Sequence, residues 1–170
     1  MAVTQISTID SIISTQEALE IKVYTDGSSR GNPGPGGYGA ILIFGHQRKE
    51  LSEGFRKTTN NRMELMAVCA ALEKIKSDKF PVTVYSDSKY VIDSITKGWV
   101  FGWVKKDFKD KKNKDLWLRY LKSHSRFKLK FVWVKGHAGH AENERCDELA
   151  VQAALQGPHS IDAFFESEAN

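Results

Sequence analysis

Two tetrapeptides in distant parts of the chain echo one another, Val23-Tyr24-Thr25-Asp26 and Val84-Tyr85-Ser86-Asp87. Each is rich in β-branched and aromatic residues, as strand interiors are. Each sets an aspartate two residues after a tyrosine, and so on the same face of its strand. Both aspartates are expected to end their strands, and open α/β sheets carry their sites just beyond strand C-termini. If the two strands are parallel neighbours, their backbones run ~4.8 Å apart. Two ionised carboxylates ~5 Å apart repel by roughly 3 kcal/mol at an effective dielectric near 20. A cation or a shared proton then belongs between them. The competing reading is that strand-ending aspartates only form turns.

The rest of the chain supplies one sheet around this pair. Ile21 to Asp26 alternates as a strand; a Gly/Pro loop from Gly31 to Gly37 is expected next, then strands Tyr38 to Phe44 and about Lys49 to Phe55 around the Gly45-His46 turn. Such short connections predict an antiparallel three-strand meander. Leu65, Val68, Leu72 and Ile75 repeat at helical steps, predicting a helix from near Asn61 to about Lys76. A strand Val82 to Asp87, a helix from Ser88 to about Lys97, a helix around Leu116 to Lys122 and a strand Lys128 to Val134 follow. The last helix, about Ala141 to Gln156, is stopped by Gly157-Pro158. This order indicates a mixed α/β fold, one mixed sheet with helices packed on it. A chain of 170 residues is expected to form one domain, over 20–156. Residues 1–19 read as a flexible extension and 157–170 as a weakly ordered acidic tail.

Gly34-Pro35-Gly36-Gly37-Tyr38-Gly39 fits the dinucleotide pattern G-x-G-x-x-G. That fingerprint must open a helix toward the pyrophosphate, whereas Tyr-Gly-Ala-Ile-Leu-Ile-Phe is strand-like. A turn between antiparallel strands is the expectation instead.

Charge narrows the class of partner. Residues 97–135 carry 13 Lys/Arg against 3 Asp, while the net charge of the whole chain is only +4. Such a block suggests a polyanion, with a solvated surface as the alternative. No apolar run approaches the roughly 18–20 residues of a membrane span, and no secretory signal opens the chain. Cys69 and Cys146 fall in predicted helices and read as reduced thiols. A cytoplasmic protein is therefore expected; a monomer is expected as well.

Three further groups have chemistry. Asn61-x-x-Glu64 resembles a helix capping box, although Glu64 also flanks the apolar stripe and can face the sheet. Asp147 lies one turn before Val151 and Ala154, beside the buried edge of the last helix. His137, in Lys135-Gly136-His137-Ala138-Gly139-His140, sits between a strand and a helix, where a mobile imidazole suits proton transfer near neutral pH. A zinc site from His137, His140 and Cys146 lacks a fourth ligand nearby.

At these residues the chain resembles the bacterial ribonuclease HI family. The matching stretches are Tyr24-Thr25-Asp26-Gly27-Ser28, Gly31-Asn32-Pro33-Gly34-Pro35-Gly36-Gly37-Tyr38-Gly39-Ala40, Thr58-Thr59-Asn60-Asn61-Arg62-Met63-Glu64-Leu65, Ser86-Asp87-Ser88, and Val134 to His140 with Glu142-Asn143-Glu144-Arg145-Cys146-Asp147. They occur in family order over about residues 21–156. The resemblance implies a five-stranded mixed sheet whose first and fourth strands are parallel neighbours, with helices on both faces. It implies an endonuclease that hydrolyses the RNA strand of RNA–DNA hybrids, leaving 5′-phosphate and 3′-hydroxyl ends. Asp26, Glu64, Asp87 and Asp147 become metal-binding carboxylates, and His137 the catalytic loop histidine. Carboxylates without thiolates suit Mg²⁺, with Mn²⁺ as a second choice, and two ions are implied when substrate is bound.

The same resemblance assigns the hybrid contacts. Asn32, Asn60 and Asn61 would meet the minor groove, where 2′-hydroxyls distinguish RNA. Lys57, Thr59 and Asn113 would hold a DNA phosphate, and Tyr90 and Trp99 would line the DNA groove. Lys105 and Lys106 belong to a basic protrusion against duplex phosphates, shorter here than in long-handled members. Trp103 reads as a core anchor. Ser29, Lys89 and an extra Gly98 depart from some relatives. Other nucleases with acidic clusters, such as junction resolvases and integrases, lack this Gly-rich loop with Thr-Thr-Asn-Asn-Arg-Met-Glu.

Overall fold

The computed structural model describes residues 19–136 and 139–168. The N-terminal extension, save Leu19, and His137 therefore lie outside the described residues. Strands β1 (Ile21–Ser29), β2 (Gly34–Phe44) and β3 (Gln47–Thr58) form the expected antiparallel meander. Helix α1 (Asn60–Lys74) follows, then β4 (Val82–Ser86), α2 (Lys89–Thr96), α3 (Trp99–Lys105) and α4 (Lys114–His124). The chain continues through β5 (Leu129–Trp133), α5 (Ala141–Gln156), β6 (His159–Ser160) and α6 (Ala163–Glu168).

The strands make one mixed sheet in the order β5-β4-β1-β2-β3-β6, with β1 parallel to β4 and β4 parallel to β5. Helix α1 packs on one face and α5 on the other. Every residue from Arg62 to Leu72 is buried, because α1 lies between the sheet and α4. An apolar stripe alone would leave one side of that helix wet; the second neighbour removes it. Val23, Val82, Val84, Leu65, Val68 and Leu72 belong to the resulting core. Beneath α5 a smaller cluster joins Ile41, Cys146 and Leu149, with Tyr24 packed against it. Both cysteines are buried free thiols, and among the described residues no helix is long and apolar enough to cross a membrane.

Three expectations change. The sheet has six strands rather than five, because His159 and Ser160 pair in parallel with Gly54 and Phe55 at the β3 edge. Residues 157–168 are accordingly not a weakly ordered tail: Asp162 is 3% exposed and is tied to Arg62 and Thr58. The Gly/Pro segment is not a loop as far as Gly37, since β2 begins at Gly34 and pairs Gly36 and Gly37 with Ser29 and Ser28. Its glycines serve close packing. A Cβ at Gly39 would collide with the Cys146 carbonyl, and one at Gly37 would lie 2.6 Å from that of Ala150. Glycine here lets the α5 backbone rest directly on the sheet.

Candidate active site

The parallel ladder of β1 and β4 ends at the pair Thr25↔Ser86, so Asp26 and Asp87 emerge side by side just past it. Asp26 does not end its own strand, as the sequence suggests, because β1 runs on to Ser29 against β2. What ends there is the pairing with β4. One step earlier, Tyr24 and Tyr85 stack with ring centroids 4.7 Å apart, which holds the two strands in this register.

Glu64 comes from α1. Its capping-box reading fails because the helix is capped by Thr59, whose hydroxyl accepts from the Arg62 N–H at 3.3 Å. Glu64 is thus more than a turn inside the helix and faces the end of the sheet. There it accepts a short hydrogen bond from the Gly27 backbone N–H, which also donates to Asp26 at 2.9 Å. Gly27 can have no side chain, since a Cβ would run into the backbone of Met63 and Glu64.

One carboxylate oxygen from each of Asp26, Glu64 and Asp87 lies within 4.8 Å of the others. Asp26 and Glu64 are 7% and 5% exposed, and among the described residues no lysine or arginine pairs with any of the three. Burial first, then the charges of Asp87 and Asp147, push Asp26 up to about 7, against hydrogen bonds from Glu64 and Gly27. Burial and the charge of Asp26 raise Glu64 well above the usual carboxylate range. A hard, oxygen-only donor set this concentrated and without a counter-cation fits a divalent metal ion.

The three carboxylates open into a cleft of about 420 Å³ that Asp147, Asn60, Asn61 and Tyr90 also line. Asp147 is therefore on its wall, outside the tight trio. Ser28, Ser88 and Lys89 line the cleft too; Ser28 and Ser88 lie in the motifs quoted above, but the resemblance assigns no role to any of the three. The Trp133 indole N–H donates to the Asp87 carbonyl at 3.1 Å, and the Lys89 ammonium stands 4.2 Å over that indole. Gly136, the last described residue before His137, approaches so closely that a Cβ there would meet Asp87 Oδ2 at 2.7 Å.

A second cavity, of about 310 Å³, adjoins at Asn61 and is lined by Asn32, Thr59 and Asn113 as well. Asn32 accepts from the Asn60 backbone N–H at 3.0 Å, joining the β1–β2 connection to the start of α1. The Tyr90 hydroxyl accepts from Asn113 Nδ2 at 3.0 Å and from Trp117 Nε1 at 2.9 Å. Lys57 is exposed on β3 and lines neither cavity. Trp99, 47% exposed, Lys105 and Lys106 stand apart on α3 and its C-terminus. Trp103 is packed edge-on against Trp117 at 5.9 Å, as an anchor would be. Cys146, needed by the zinc alternative, is buried and donates to the Tyr24 carbonyl.

The most informative residue that the sequence reading passed over is Arg62. It is 2% exposed and salt-bridged to Asp115 and Asp162 at 2.7 Å each. The available signal was its place one turn before Leu65, in line with the apolar stripe of the helix.

Comparison with known proteins agrees with this geometry. The RNase H family model matches residues 18–155. A curated ribonuclease H from Rippkaea orientalis is 50% identical over 154 residues, covering 88% of this chain and 94% of its own. Among solved structures, LC9-RNase H1 superposes with a TM-score of 0.74 at 32% identity, over 89% of this chain and 81% of its own. LC11-RNase H1, solved in complex with an RNA/DNA hybrid, superposes at 0.59 with 27% identity over 79% of this chain and 96% of its own. A family match over most of the chain, on a fold whose carboxylates converge at one sheet end, makes this chain a ribonuclease of the RNase H family.

Proposed function

We propose that this protein hydrolyses the RNA strand of RNA–DNA hybrids in a reaction that uses two divalent metal ions and leaves 5′-phosphate and 3′-hydroxyl ends. The observation that carries this reading is the trio Asp26, Glu64 and Asp87, crowded and, among the described residues, not paired with any lysine or arginine, in a cleft that adjoins a cavity lined in part by amides. Asp26, Glu64, Asp87 and Asp147 hold the ions, Mg²⁺ first and Mn²⁺ as a substitute. When bound, such ions supply the Lewis acidity that activates water and neutralises a leaving 3′-oxygen.

The chain's own groups do the rest. Asp26 and Glu64 give up the protons that burial, and then the neighbouring charges, make them retain, so the site charges only as it fills. Gly27 keeps both carboxylates aimed at one point. Asn32, Asn60 and Asn61 offer amides to 2′-hydroxyls and base edges of the minor groove. Thr59 and Asn113, with Lys57 beyond them, receive a phosphate of the DNA strand. Tyr90 and Trp99 pack along the DNA groove, and Lys105 and Lys106 meet phosphates further out. His137 moves a proton at the scissile position. The hybrid bound to LC11-RNase H1 supports this choice of substrate.

The test is cleavage of matched RNA–DNA, RNA–RNA and DNA–DNA duplexes with Mg²⁺ or with a chelator, followed by end-group analysis. Hybrid-selective, metal-dependent cleavage is expected. Equal cleavage of all three duplexes, or activity that survives chelation, would overturn the reading.

A further inference from the structure

The family match ends at residue 155, yet the chain beyond it is built into the hybrid-facing side of the molecule. Asp162 accepts from Arg62 Nε at 2.7 Å and Nη2 at 2.9 Å, and from the Thr58 hydroxyl at 2.7 Å. Asp115 accepts from Arg62 Nη1 at 2.8 Å and Nη2 at 2.7 Å, and Asn113 Oδ1 accepts from Nη1 at 3.4 Å. Every N–H of the guanidinium fork therefore has an acceptor. The fork cannot turn without breaking one of them.

Two hybrid-contact residues depend on that orientation. Asn113 starts α4 with a left-handed φ of 68° and does not cap the helix with its own side chain. Its amide instead spans from Arg62 to the Tyr90 hydroxyl. Thr59 follows Thr58, which Asp162 holds, and caps the Arg62 N–H. Both residues line the 310 Å³ cavity, as do Lys112 and, from α6, Phe164, Phe165 and Glu168, with the Phe164 ring 5.5 Å from the Arg62 guanidinium.

We propose that the C-terminal segment 157–168 is a positioning element of the hybrid-binding surface. Asp162, acting through Arg62, sets Asn113 and Thr59 for a phosphate of the uncleaved strand, and Phe164 walls the cavity that receives it. This rests on the hybrid reading above. Without Asp162 the fork keeps Asp115 but loses the two bonds that fix its tilt. Asn113 then samples several orientations, and apparent affinity falls by the fraction of time spent in the competent one.

The experiment compares Asp162→Asn and Phe164→Ala with the unaltered chain. Hybrid affinity is read by fluorescence anisotropy without divalent metal across a salt series, with steady-state cleavage and thermal unfolding alongside. In both variants the dissociation constant and KM should rise about five- to tenfold with kcat little changed, as for loss of one ground-state contact. In Asp162→Asn the log–log salt slope should stay near the wild-type value, because Asn113 and Thr59 are neutral contacts whose loss frees no counterion. A lower melting temperature with unchanged affinity would mean that the segment only braces the fold, and would overturn the proposal. Should Asp162→Asn fail to fold, Phe164→Ala decides, because it leaves the Arg62–Asp162 pair standing; unchanged affinity there overturns the proposal. Failure of the unaltered chain to bind the hybrid would refute the functional reading, and this inference with it. Wild-type binding with unaffected variants refutes this inference alone.

Discussion

Asp26 and Glu64 accept from the same backbone N–H, that of Gly27, although one carboxylate comes from β1 and the other from α1. The strand and helix can come so close only because Gly27 has no side chain. The shared donor aims both carboxylates at Asp87 and concentrates negative charge where water is largely excluded.

That concentration has a pH signature. A carboxyl whose folded-state value is raised to about 7, from 3.8, binds its proton more tightly in the native state than in the unfolded chain. Its stabilisation is full below the unfolded value and is lost as pH rises through the folded one. In chelator, the wild type should therefore lose stability relative to Asp26→Asn between about pH 4 and 7. Asp26→Asn should also abolish Mg²⁺-dependent cleavage. Melting curves of the two proteins that run parallel across this range would contradict the crowding argument.

The Arg62 fork predicts a stability effect remote from the chemistry. Arg62→Met leaves Asp162, 3% exposed, without its cationic partner. Stranding a buried charge in this way costs about 3–5 kcal/mol. Urea unfolding at neutral pH measures it, and a loss below about 1 kcal/mol would place the pair in the weak class of exposed ion pairs.

His137→Ala should slow turnover by roughly 10²–10⁴-fold, the usual yield of a positioned proton-transfer group. Metal affinity should stay near that of the wild type, because His137 is outside the proposed ligand set. Calorimetric titration with Mg²⁺ separates the two effects; lost binding would make the histidine part of the metal site.

Neutralising Lys105, Lys106, Lys109 and Lys112 together should raise KM and flatten its salt dependence while leaving saturated turnover nearly intact. Each phosphate contact removed should reduce the log–log slope by roughly 0.7–0.9. Lys112 borders the same cavity as Asn113, whereas Lys105 and Lys106 lie at the end of α3. A quadruple variant with the wild-type salt slope would show a solvated surface instead.

Much of this was legible in the sequence, because periodicity and motif are properties of neighbouring residues. Alternation marked β1, and the repeated Tyr-x-Asp set both aspartates on equivalent faces, which the parallel register of β1 and β4 realises. Helical spacing located α1 and α5, and Gly157 ended the latter with a positive φ of 67°. What tertiary structure decided was everything whose partner is distant along the chain. Glycine at Gly37 looks locally like part of a loop, and only the α5 backbone resting on it shows why a strand needs it there. Glu64 looks like a cap until Thr59 takes that role. The two-residue β6 is too short to carry a period and exists because the β3 edge is there to pair with. Arg62 could enter a buried helix because Asp115 and Asp162, from two later parts of the chain, satisfy its charge. A buried ion needs its partners in space, and the order of residues along the chain does not say which ones will arrive.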